Sequence, residues 1–337
     1  MQRRRNSLLI GSALAAATLV AGMLLYANLR PGETAHASPA PEILSALPAG
    51  APTLVYLDLA AVRASGFYRH RPNPGPITLP NKDYTNFIQS TGFDFEKDLD
   101  RVVIASWPPS LSKEPKKTVA VADGRFDREK IRDYAMRKGK LDHQEGKEVF
   151  LFPAGNGASW NSIVFLDDHR IALIEGPSIA PLFANASATD AVGDPARERA
   201  ARVDGAAAFA ITRVPPVPAN FAPGGAQSAE LAAMARSVQW ITLAAQPEGD
   251  NLRVSLEGEC DNDADARQLQ AALQLLRMFG RASLESPKTR QSMDPAAFGV
   301  LQSVLNDADI AAAGERVRIL VELTPAILKL GEAHKSQ

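Results

Sequence analysis

The sequence has a single cysteine, Cys260, so no disulfide can form within the chain, and a folded part must be held by packing rather than by cross-links. It also lacks an excess of charge of either sign. The 37 Lys and Arg against 38 Asp and Glu leave a formal net charge of −1, which gives no field for gathering a polyanion and excludes nucleic acid as an expected partner. Catalytic signatures are sparse. There is no G-x-S-x-G nucleophile elbow and no G-x-x-x-x-G-K-[ST] phosphate loop. The five histidines, His36, His70, His143, His169 and His334, are widely separated and form no H-x-x-H or H-E-x-x-H pair. No catalytic residue, metal ligand or cofactor is therefore expected. What remains is an ordinary globular mixture, 45% hydrophobic and 22% charged, enough for a packed core.

One long apolar run is present, and it is N-terminal. "MQRRRNSLLIGSALAAATLVAGMLLYANLR" sets Arg3, Arg4 and Arg5 before an uncharged stretch from Leu8 to Leu29. As a helix that stretch would be roughly 33 Å long, sufficient for a hydrocarbon core of about 30 Å. The arginines favour the cytoplasmic side, so the chain beyond Arg30 is expected outside the cytoplasm, periplasmic or secreted. Residues 1–30 read as a signal anchor or signal peptide. Ala35-His36-Ala37 offers a cleavage site before Ser38, but the run exceeds a usual signal-peptide core of about 7–15 residues, and a retained anchor is preferred.

Residues 31–42 read as a Pro/Ala linker, 43–200 as a first α+β unit and 201–337 as a second. Strands are expected at 53–59, 101–106 and 117–123, then at 147–152, 161–166 and 170–175, the last two forming a hairpin around "DDHR". The second half offers strands "AAAFAITRV", "SVQWITLAAQ", "NLRVSLEGE" and "RVRILVEL", with helices at 228–236 and 295–305 and a last short one in "PAILKLGEA". The fold class is α+β, with mostly antiparallel or mixed sheets and packed helices, arranged as two related units or one continuous sheet behind one N-terminal transmembrane or signal helix.

The clearest helix runs from Asp127 to Lys138. Asp127 caps it, Phe126 staples onto Ile131, Glu129 and the pair Arg137 and Lys138 match the dipole, and Gly139 terminates it. "CDNDADARQLQ" at 260–270 resembles the start of a calcium loop. Ala266 and Ala272, however, stand where that loop needs glycine and a bidentate glutamate. A helix capped by Asp261 or Asn262, with Leu269, Leu273 and Leu276 on one face, needs no exception. "PAGNGASW" reads as a hairpin connection, and Glu257 and Glu259 as a solvated strand face.

Two stretches offer weak surface-binding candidates. In "FYRHRPNPGP", Arg69, His70 and Arg71 alternate with aromatics, although Phe67 and Tyr68 fit better tucked onto the core. Phe221 lies in a long Pro/Gly loop at 214–227 that could serve as a partner site or a lid, although a solvated polyproline-like connection fits it better.

The segments "LPAGAPTLVYLDLAAVR", "ADGRFDREKIRDY" and "NSIVFLDDHRIALIEG" resemble uncharacterised exported bacterial proteins grouped as domains of unknown function. The resemblance implies an exported α+β domain and transfers no active site. The leading expectation is a non-enzymatic binding module of the envelope. It would meet the membrane through its N-terminal helix, and its partner would be an envelope protein or polymer whose identity the sequence leaves open. A hydrolase without local signature and a small-molecule binder are the alternatives. Converging titratable groups in a deep pocket would favour the enzyme, an exposed apolar patch near the long Pro/Gly loops the partner binder, and an apolar cavity with few polar groups the carrier.

Overall fold

The computed structural model describes residues 41–70, 82–108, 117–154, 159–183, 194–215 and 236–329. They form an α+β fold with twelve antiparallel strands, the class expected from the sequence. The described residues fall into two compact units, one within Ala27–Ala64 and Pro74–Phe209, the other within Ser65–Asn73 and Ala210–Gln337.

In the N-terminal unit the strands are β1 (Thr53–Asp58), β2 (Leu99–Trp107), β3 (Lys117–Gly124), β4 (Lys140–Gln144), β5 (Lys147–Ala154), β6 (Ser159–Phe165) and β7 (Arg170–Glu175), in the order β1-β2-β3-β7-β6-β5-β4. Alternation along each strand sends every second side chain to one buried face. Register lines these up. Tyr56, Val103, Val121, Ala172, Val164 and Val149 are successive partners across six strands, and all are buried. Beside them runs a second buried row, Leu54, Ala105, Val119, Ile174, Ser162 and Leu151. Each large aliphatic in these rows contributes about 1.5–3 kcal/mol of burial. Tyr56 also stacks on Phe209 at 5.2 Å between ring centroids.

The opposite face of β5 and β6 is covered by helix α1 (Arg128–Lys138), whose Ile131 and Ala135 pack against Phe150, Phe165 and Phe126. The Asp127 carboxylate accepts the Lys130 amide at 3.1 Å and starts the helix as expected. Gly139 ends it, but with φ of −144° rather than in the left-handed region. Its lack of a side chain matters for closeness, since a Cβ there would lie 2.0 Å from the Leu151 carbonyl oxygen.

Strand β8 (Ala208–Arg213) straddles the division between the units. In the C-terminal unit, β9 (Val238–Glu248), β10 (Asn251–Cys260), β11 (Asp309–Ala313) and β12 (Arg316–Leu323) follow the order β11-β12-β10-β9. Two further helices, α2 (Asp263–Glu285) and α3 (Pro295–Asp307), contact this sheet and each other. Asn262, not Asp261, is the cap of α2, its side chain accepting the amides of Ala264 and Asp265 at 2.9 and 3.0 Å.

Leu276 departs from expectation. Leu269 and Leu273 face the sheet, but Leu276 is 50% exposed. By that point the helix has passed the sheet: Gln270 reaches the Ile310 carbonyl of β11, whereas Arg277 reaches Ala308 and Gly280 meets Leu305 of α3. The short helix expected in "PAILKLGEA" is a 3-10 turn at Pro325–Lys329 over its described part. Residues 228–235 of the expected helix, the apolar run at 8–29 and the connection 155–158 lie outside the described residues. Among the described residues no helix is long and apolar enough to cross a membrane.

Candidate functional site

Titratable groups converge on the buried face of the sheet in the N-terminal unit, apart from the Arg63, Asp98, Asp100 and Arg125 cluster at the start of β2. A third row on the buried face of its sheet, at the end of the two aliphatic rows, consists of Asp58, Arg101, Asp123 and Arg170, each the register partner of the next. Asp123 accepts Arg170 Nε at 2.6 Å, and its second oxygen lies 3.0 Å from the Arg170 guanidinium and 3.1 Å from that of Arg101. This forked pairing raises the Arg170 pKa further. Asp58 accepts the Ala61 amide at 2.7 Å and the Tyr56 hydroxyl at 3.2 Å. Burial pushes the Asp58 carboxyl up, against the pull of those two donors, and burial together with Asp58 pushes the Tyr56 phenol far above the usual tyrosine range.

An acid with a raised pKa beside a tyrosine is a general-acid signature only where substrate can reach it. Asp58 is 3% exposed and Tyr56 1%, so this row serves the fold. It carries a pH dependence. Because folding raises the Asp58 pKa, its contribution is fully present below the ordinary aspartate value of about 4 and is lost as pH rises through the folded value. Asp58→Asn keeps an acceptor for the Ala61 amide, and its unfolding midpoint should therefore gain on that of the wild type as pH climbs from about 4 to 7. Thermal unfolding of both chains across that range measures it. A wild type that gains on the variant would make Asp58 a carboxylate held charged by Arg101.

Of the four surface candidates, Arg69 and His70 fall among the described residues. Arg69 and His70 are exposed at the end of the short helix Gly66–Arg69, with His70 Nε2 3.1 Å from an Asp250 oxygen in the β9–β10 turn. Phe67 and Tyr68 are buried. Arg71 and Phe221 lie outside the described residues. His169 sits in the β6–β7 turn, where its amide donates to Asp167 at 2.8 Å. Glu257 and Glu259 are half-buried and stand opposite Arg318 and Arg316 across the β10–β12 pair. Among the described residues no three His, Cys, Asp or Glu side chains gather as a metal site would require.

Among the described residues, a hollow with the character of a binding site lies in the C-terminal unit, between α2 and the β9–β10–β12 face. Leu269 and Leu273 form its helical wall, and Val238, Ile241, Leu256, Val317 and Ile319 its sheet wall. Glu257 is the only charged residue that lines it, and its volume is about 160 Å³. Gly258 makes it. The register places Ile241 and Val317 on either side of Gly258, so the middle of an aliphatic row lacks a side chain. A Cβ at Gly258 would sit at ordinary contact, 3.7 Å from Val238 and 3.9 Å from Leu269. A glycine inside a strand marks a weak pairing or a close approach of something else, and "SLEGEC" carried that signal unread.

No protein-family model and no curated protein sequence matches this chain. Among solved structures it is similar to TP0453 in crystal form III, with a TM-score of 0.45 and 10% identity over 89% of this chain and 100% of that one. Crystal form I of TP0453 gives a TM-score of 0.42 and 12% identity over 89% of this chain and 99% of that one.

Proposed function

We propose that this chain is a non-enzymatic binding module of the cell envelope, exported and held at the membrane by residues 8–29, and that it takes a short aliphatic chain into the hollow beneath α2. The observation that carries the binding reading is the aliphatic lining of a half-open space of about 160 Å³ beside Gly258. A dry cavity of about 150 Å³ with similar walls holds a benzene ring, so roughly six carbons fit here. An apolar tail in that space gains contacts with Leu269, Leu273 and Val317 that the empty hollow forgoes. Export and tethering are supported by the arginine-led apolar run and the linker after it.

Hexanol is a suitable probe. Its titration should shift the methyl NMR signals of Leu269 and Leu273 in the wild type. Gly258→Leu, whose side chain enters the same space without backbone conflict, should weaken that response by roughly tenfold or more while leaving the fold intact. Equal binding by both chains would rule out this hollow as the site.

A further inference from the structure

Helix α2 is apolar on a second side. Leu275, Leu276 and Phe279 recur at the spacing that places side chains on one face of a helix, with Met278 beside them, and they are 52%, 50%, 64% and 55% exposed. Ala271, Ala272 and Ala282 extend this face, and no charged residue falls on it between Gln268 and Ser283. The helix's other side is already used, with Ala266 and Leu284 buried and Leu269 and Leu273 lining the hollow. Four large apolar side chains this exposed within five residues form a patch that soluble surfaces rarely leave bare.

Charge indicates what covers it. From Arg277 to Met293 the chain carries Arg277, Arg281, Lys288 and Arg290 against one acid, Glu285, within a protein of net charge −1. Arg281, Lys288 and Arg290 are exposed, whereas Arg277 donates to the Ala308 carbonyl. Arg281 and Arg290 line the groove between α2 and α3 together with Glu285, and Asp294 follows the segment. An apolar stripe beside such a mostly basic segment complements an anionic lipid surface. It suits a second copy poorly, because the same cations would be brought together.

We infer that the outer face of α2 lies on an anionic phospholipid surface, with Leu275, Leu276, Met278 and Phe279 at the headgroup boundary and Arg281, Lys288 and Arg290 among the phosphates. This rests on the reading that residues 8–29 hold the chain at a membrane.

The test uses the full chain reconstituted into vesicles of phosphatidylethanolamine and phosphatidylglycerol. An environment-sensitive fluorophore is attached through Ala282→Cys, on the apolar face, or through Glu315→Cys, in the exposed β11–β12 turn; Cys260 is buried. The label at 282 should shift to the blue and be quenched by brominated acyl chains, while the label at 315 should do neither. Reversing Arg281, Lys288 and Arg290 to glutamate should lower the ratio of seated to unseated helix by about a hundredfold or more. A chain that floats with the vesicles but keeps its 282 label in water overturns the inference alone. One that does not float overturns the anchor reading with it. A blue shift that needs no lipid and grows with protein concentration would assign the face to a second copy.

Discussion

Asp123→Ala is expected to destabilise the N-terminal unit by about 3–5 kcal/mol, read as a lower denaturant midpoint without a change in slope. The magnitude follows from what is left behind. Asp123 is the acceptor shared by Arg101 and Arg170, whose side chains are only 21% and 19% exposed, and its removal leaves two cations facing each other across the β3 gap. The favourable pairing lost is the smaller part, and the larger part is the desolvation of the two guanidinium groups, which Glu42, 3.8 Å from Arg170, and Asp58 beside Arg101 offset only in part. Adding Arg170→Met to Asp123→Ala removes one of those cations, so the double variant should lose less than the sum of the two single ones. A cost below about 1 kcal/mol for Asp123→Ala would mean that water solvates this row like any surface pair.

The second large effect is expected at Gly139. Its φ of −144° is not the left-handed region that reserves a position for glycine, and the cost of Gly139→Ala is argued from contact: the new methyl would run into the Leu151 carbonyl oxygen. Leu151 is the β5 partner of Lys140, the residue after Gly139, so the methyl cannot be relieved without disturbing the β4–β5 ladder. About 3 kcal/mol or more is expected. Gly258→Ala is the matched control. Its methyl meets only Val238 and Leu269 at contact distance, so near-neutral stability is expected there. Thermal or chemical unfolding of the two variants side by side would show whether closeness of backbone, rather than glycine itself, sets the cost.

Much of the architecture was legible because it is local. The alternation in "RVVIAS" and "KTVAVAD" announces strands, Asp127 and Asn262 announce helix starts, and "DDHR" announces a turn, each within a few residues of chain. Two strands were missed, β4 and β11. "KLDHQ" has a single apolar residue, Leu141, among polar ones and "DIAAA" is dominated by alanine, so neither carries a strand pattern. Each is made a strand by the neighbour that a tight turn delivers, at Glu145 and Gly146 with φ of 51° and 71° for β4, and at Gly314 with φ of 58° for β11. The charge row was illegible for a different reason. Asp123 and Arg170 lie 47 residues apart, and only strand register sets them side by side. The hollow beneath α2 was half legible, since the glycine in β10 is visible in the sequence but the leucines that roof it lie on another element.

The polarity of β4 has a consequence for the protein's company. It is the terminal strand of its order, so one rim of its backbone has no ladder partner among the described strands. A bare rim of this kind invites strands from other molecules to join it. Lys140, Asp142 and His143 line this one, and a passing apolar segment that zipped onto it would have to strip water from those groups. The feature that hid β4 from pattern reading thus discourages the chain from seeding fibres in a crowded compartment.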